Sequence, residues 1–175
     1  MGEVASWEKS LTLDVPMGHM AVLPLMCSLA AADAADGALV RWPSGVVDAD
    51  GEELARIRAS VRYDDGLVAD IAVSSAPPLD GAALERALAA RMDAWAAETR
   101  AGRAKAGPLA PVLPELFDRT WLMGERVSCL YPNGRAFAEG RLAALDVWGR
   151  VTVVDDAGAE IEFSPEQAGI APATR

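Results

Sequence analysis

Several groups of residues in this chain are of types that could do chemistry. Arg41-Trp42-Pro43-Ser44-Gly45 sets a guanidinium, an indole and a hydroxyl around a proline. Such a stretch could form the wall and rim of a ligand site, or simply a proline-stiffened turn carrying a packed tryptophan. Arg56, Arg58 and Arg62 fall on one face of an alternating segment and could hold an anion; the alternative is a solvated strand face in an acidic protein. Arg100, Arg103 and Lys105 lie near Gly102 and Gly107, a basic glycine-containing stretch that reads either as a phosphate cradle or as a flexible linker. His19, the only histidine, follows Gly18 and reads as an exposed loop residue. One histidine gives poor support for a zinc site or a Ser-His-Asp triad, and no metal ligand is assigned. Cys27 and Cys129 stand apart, outside any CxxC pair, and read as reduced, partly buried small hydrophobes of a cytosolic protein.

The elements that must position these residues follow from periodicity. Met1–Ser10 is polar and gives no element. Leu11–Val15 alternates as a short strand ended by Pro16. Met20–Ala35 carries Leu25, Leu29 and Ala32 at helical spacing, with Pro24 in the first turn and Gly37 as a stop. Ala38–Trp42 and Val46-Val47 read as strands, followed by a turn at Asp48-Ala49-Asp50-Gly51. Leu54–Tyr63 has the clearest strand signal: Ala55, Ile57, Ala59, Val61 and Tyr63 on one face, arginines and Ser60 on the other. Asp64-Asp65-Gly66 is a hairpin turn and Leu67–Ser74 the returning strand. After Ser75-Ala76-Pro77-Pro78, Asp80 caps a helix whose Leu84, Leu88, Met92 and Trp95 form a core stripe. Ala101–Pro114 holds three prolines and suits a short linker, and Leu113–Trp121 suits a turn or two of helix. From Gly124 the texture changes to short strands, Arg126–Tyr131, Phe137–Ala144, Val151–Val154 and Glu160–Phe163. Turn pairs at roughly ten-residue spacing separate them and predict a small antiparallel barrel.

The net charge of −10 argues against nucleic acid and against an anionic membrane surface as partners, because both need clustered Lys and Arg. The longest apolar run, Met20–Ala32, contains Pro24 and is too short to span a bilayer.

This order of elements, with certain local strings, resembles the biotin–protein ligase family, which groups with the lipoate ligases. Arg41-Trp42-Pro43-Ser44-Gly45 stands where the family has Lys-Trp-Pro-Asn-Asp. Gly51-Glu52-Glu53-Leu54-Ala55-Arg56-Ile57 stands where it has Gly-Arg-Lys-Leu-Ala-Gly-Ile, and Asp70–Ser75 stands where it has a Gly-Ile-Gly-Leu-Asn-Val-like string. Gly124-Glu125-Arg126-Val127, Gly140 and Asp146–Val151 are similar to the family's barrel entry, bulge glycine and Asp-x-x-Gly turn. The resemblance spans about residues 7 to 172. It implies an α+β fold, a mixed or antiparallel sheet with helices, followed by a small SH3-like barrel, with the units dividing at 1–117 and 118–175. The family carries a Gly-Arg-Gly-Arg-x-x-Arg loop ahead of a Ser-Trp pair. Ser6-Trp7 resembles that pair close to the start of the sequence. The expectation is an N-terminally shortened domain without that loop, whether through loss, a misassigned start or supply by another chain.

The resemblance implies the ligand-binding candidates Arg41, Trp42, Pro43, Ser44, Arg56 and Ser74, with biotin and Mg-ATP as cofactors, a carboxylase's biotin carrier domain as partner, and a homodimer. No residue is assigned as catalytic, because the family's lysine position is Glu53. A carboxylate there would repel an adenylate that a lysine would stabilise. Ser44 and Gly45 replace the Asn and Asp that help hold nucleotide and metal, Arg56 replaces a glycine, and Ser74 a late asparagine. Three readings stay open: an ATP-dependent ligase of biotin or a related acid; a non-catalytic descendant binding a small acid or a protein; and one part of a split or oligomeric assembly.

Overall fold

The computed structural model describes residues 5–173. Its first half is an antiparallel sheet of five strands in the order β1-β5-β4-β3-β2. These are β1 (Ala5–Leu13), β2 (Leu39–Arg41), β3 (Gly45–Val47), β4 (Glu53–Tyr63) and β5 (Leu67–Ser75). β4 and β5 pair along their whole length, Ile57 opposite Val73 and Ser60 opposite Asp70, through a turn in which Asp65 and Gly66 both take positive φ. The strand expected at Leu11–Val15 is instead β1, and it begins within the stretch expected to be structureless; residues 1–4 of that stretch lie outside the described residues. Glu8, Lys9 and Ser10 hide its alternation. The strand forms because β5 supplies its backbone partners from Ala5 to Leu13; on its surface Lys9 reaches Glu85 at 2.6 Å.

The helices cover one face of this sheet. A 3-10 helix (Met17–Val22) runs into α1 (Leu23–Asp33), which has Pro24 in its first turn, as expected. α1 packs on β2, β3, β4 and α2 and buries every residue from Leu25 to Ala32, so it shows no apolar stripe. α2 (Gly81–Arg100) starts at Asp80, whose Oδ1 accepts from the amides of Ala82 and Ala83 at 2.9 and 3.3 Å. Its expected stripe of Leu84, Leu88, Met92 and Trp95 is buried. His19 is not the exposed loop residue expected. It is 9% exposed and stacks on Trp95, with ring centroids 5.9 Å apart, because the 3-10 turn carries it under α2. Arg91 of α2 donates to Asp33 at 2.6 Å and to Glu115 at 2.6 Å, tying the end of α1 to α3 (Leu113–Arg119). Burial alone would raise the Asp33 carboxyl, but hydrogen bonds from Arg91 and Arg119 outweigh it and hold it below the usual carboxylate range.

The second sheet has the order β10-β6-β7-β8-β9 and is antiparallel throughout. Its strands are β6 (Arg126–Leu130), β7 (Ala136–Leu145), β8 (Val151–Val154), β9 (Glu160–Phe163) and β10 (Gly169–Pro172). β10 has no signal in the sequence and forms by pairing with β6. Register shifts at Cys129/Leu130 and Leu142/Ala144 bend the sheet. At Gly140 a Cβ would collide with the Val154 backbone, so close strand approach requires glycine there.

The two sheets are pinned together. Trp42, 2% exposed, donates its indole N–H to Gly149 O at 2.9 Å. Leu109 N donates to Val147 O at 3.0 Å and Trp121 N to Val40 O at 2.8 Å. One apolar cluster runs from Leu13 to Ile170 through both sheets. The segment expected as a basic linker is packed instead: Ala104 and Leu109 are buried, Arg100 pairs with Asp14 and Arg103 with Glu98. It is therefore neither a phosphate cradle nor a loose tether. Cys27 and Cys129 are buried, and burial pushes the Cys27 thiol up to about 12.

Candidate functional site

The face of the first sheet away from the helices is polar because β4 alternates. Arg56, Arg58, Ser60 and Arg62 point out while Ala55 and Ile57 point in. Beside Arg58 and Ser60 opens a groove of ≈ 840 Å³, also lined by Glu8, Ser10, Ser44 and Asp70. Two smaller depressions adjoin it. One of ≈ 440 Å³ is lined by Glu53, Arg56, Arg58 and Ser74. The other, of ≈ 170 Å³, is lined by Arg41, Trp42, Pro43, Ser44, Gly45, Glu53 and Arg56.

All the sequence-predicted ligand residues therefore line one connected region. Arg56 stands directly opposite Ser74, and Ser74 opposite Ser6, across three strands. Ser44 lines both the groove and the smallest depression because its carbonyl accepts from Ile57 N at 2.8 Å, which fixes the turn against β4. Trp42 takes the packed-turn alternative for its side chain: the indole points inward to Gly149, and its ring lies edge-on to Phe163 at 5.8 Å.

The arginine stripe divides. Glu53 Oε2 accepts from Arg56 at 2.8 Å and from Arg41 at 3.2 Å, so one carboxylate holds two guanidinium groups. Arg62 donates to Asp70 at 3.0 Å and Asp64 at 2.9 Å. Arg58 makes no ion pair among the described residues and stands between the groove and the larger depression. Hydrogen bonds from Ser10, at 2.5 Å, and from Arg62 hold Asp70 below the usual carboxylate range. Asp70 is thus an ionised acceptor at neutral pH and unsuited to act as a general acid. Sequence reasoning missed Glu8, Ser10, Ser60 and Asp70. Only the β1–β5–β4 register brings them together, and it leaves no local signal.

The Arg41–Gly45 turn itself carries no carboxylate for a magnesium nucleotide. Among the described residues no three His, Cys, Asp or Glu side chains converge, and the carboxylate nearest the turn, Glu53, is committed to Arg41 and Arg56. What the arrangement can do is hold a small anion. It offers an unpaired guanidinium and several hydroxyls over a preformed sheet surface.

Two antiparallel sheets with helices on one face of the first define an α+β protein of two packed layers. No protein-family model matches the sequence, and no curated protein does. Solved structures do. Biotin protein ligase from Aquifex aeolicus superposes with a TM-score of 0.67 at 14% identity, covering 96% of this chain and 82% of that one. The same ligase in complex with biotin and ATP gives 0.65 at 13% identity, covering 97% and 79%. A biotin protein ligase-like protein of unknown function from Silicibacter sp. TM1040 gives 0.60 at 15% identity, covering 92% and 78%. At such identities the likeness is one of architecture: this chain has the biotin protein ligase fold. No helix among the described residues is long and apolar enough to cross a membrane.

Proposed function

We propose that this chain is a non-catalytic relative of the biotin protein ligases, a pseudoenzyme that binds a small carboxylic acid or similar anion on the open face of its first sheet. The observation that carries the reading is Glu53 paired with both Arg41 and Arg56. In the family resemblance this position belongs to a lysine. Adenylation concentrates negative charge on phosphorus, and loss of one preorganised stabiliser typically lowers the rate about 10²–10³-fold. A carboxylate adds repulsion to that loss and occupies the neighbouring cations. Arg58 remains to receive the acid.

Calorimetry with biotin and with biotinyl-adenylate tests the reading, together with streptavidin blotting after incubation with a carrier domain, biotin and Mg-ATP. The expectation is acid binding that Arg58→Ala abolishes, and no labelling above a heat-killed control. Labelling, or sub-micromolar binding of the adenylate, would replace the reading with an active ligase whose partner is a carboxylase's biotin carrier domain. The likeness to the Aquifex ligase bound to biotin and ATP favours that second reading. The same proposal takes residues 118–175 as an SH3-like unit, although α3 runs across the 117/118 boundary to Arg119. It also takes the protein as cytoplasmic and as a homodimer joined through a sheet edge such as that of β1, which light scattering checks.

A further inference from the structure

Between the two sheets lies a cleft of ≈ 150 Å³, narrower and more enclosed than the anion groove. Three proline rings form much of its wall: Pro24 from α1, Pro43 from the β2–β3 turn and Pro165 after β9. Trp148 from the β7–β8 turn and Glu166 complete it. An apolar cavity of about this volume accepts a single benzene ring.

The cleft is preformed. Proline rings have little freedom to collapse inward. The turn carrying Trp148 is locked, because Asp146 Oδ1 accepts from Trp148 N at 2.8 Å and from Arg150 N at 2.9 Å. Gly149 takes φ +81 and packs so closely on α1 that a Cβ would lie 3.0 Å from Leu25 Cδ1. The backbone of that turn is held in place, and the Trp148 side chain it carries is 46% exposed. A half-exposed indole can offer its π-face to a cation, and indole attracts cations more strongly than any other side-chain ring. Glu166 is exposed and makes no ion pair among the described residues. The chain's net charge of −10 adds a field of the same sign.

We propose that this cleft binds a planar aromatic cation of single-ring size, an aryl amidinium or aryl ammonium group. The ring lies between the prolines and Trp148, and its N–H groups donate to Glu166. The cleft shares Pro24 and Ser44 with the sheet groove, and the opposite charge of its ligand is what separates the two readings in the test.

Benzamidinium is the probe, titrated into the full chain by calorimetry and by amide and indole NMR, with benzoate as the ring of opposite charge. A fragment of this size should bind with a Kd of about 1 mM. Shifts should centre on the Trp148 indole and Gly149, and Trp148→Ala and Glu166→Gln should each weaken binding by about 5–10-fold, the usual scale of one cation–π or charged contact. Both substitutions sit on exposed side chains, and unchanged amide spectra elsewhere show that the fold is kept. Equal affinity for benzoate, shifts centred on Arg58 instead, affinity unchanged in both variants, or no binding at about ten times the expected Kd would each overturn the proposal.

Discussion

If Glu53 silences an anion site by occupying its arginines, then neutralising Glu53 should restore one. Glu53 lies 2.8 Å from Arg56 and 3.2 Å from Arg41. The three side chains carry a net charge of +1, from two guanidinium groups and one carboxylate. Glu53→Gln raises this to +2 and removes the group an incoming anion would meet first. A unit charge at 4 Å is worth about 1 kcal/mol in water and about 4 near a protein surface. The side chains are 37% to 67% exposed, which favours the lower end. A gain of about 1–2 kcal/mol means anion binding roughly 5–30-fold tighter. The same substitution should lower stability by only about 0.2–1 kcal/mol, since exposed pairs contribute little. Calorimetry with inorganic phosphate at low ionic strength reads the first effect and urea unfolding the second. The gain should shrink as salt is added, through screening. Equal phosphate affinity in wild type and E53Q, or a gain that persists when Arg41 and Arg56 are also removed, would refute the reasoning.

Two further outcomes follow from the packing. Gly149→Ala must place a side chain at φ +81 against Leu25 and should destabilise by about 2–4 kcal/mol, read as a fall in the urea midpoint; a midpoint within error of wild type would mean that the turn is not locked. Arg91→Met leaves Asp33 and Glu115 without their main partner and should lower stability at neutral pH by about 1–3 kcal/mol, between the values for exposed and buried pairs. Both carboxyls are held below their unfolded values, Glu115 chiefly by its hydrogen bond from Arg91. Their contribution is therefore complete above the unfolded range near about 4 and is lost as pH falls through the folded values. The wild-type advantage over Arg91→Met should close on acidification, and a gap constant with pH would contradict the assignment.

Much of this architecture is written in local patterns. β4 and β5 announce themselves through strict alternation around Asp64-Asp65-Gly66, α2 through Asp80 and its apolar stripe, and β8 and β9 through turn glycines at even spacing. What stayed hidden depends on distant partners. β1 is amphipathic only once β5 lies beside it, β10 is too short to show a period, and His19 is buried by α2, some seventy residues further along the chain. For the site, the Arg41–Gly45 turn and Glu53 were visible as residues. Their ion pairing was not, because it depends on β3 lying against β4 with Gly45 opposite Arg56.

The indole of Trp42 reaches 107 residues along the chain to find its acceptor, and that bond lies inside the apolar cluster shared by both sheets. Cutting the chain near residue 118 would strand a buried donor in one fragment and expose apolar surface in both. The two halves should therefore melt in one cooperative transition, with the slowest-exchanging amides on both sides of the Trp42–Gly149 contact. A permanent bolt of this kind suits a protein that presents a fixed surface, since hinge motion between the sheets would first have to break it.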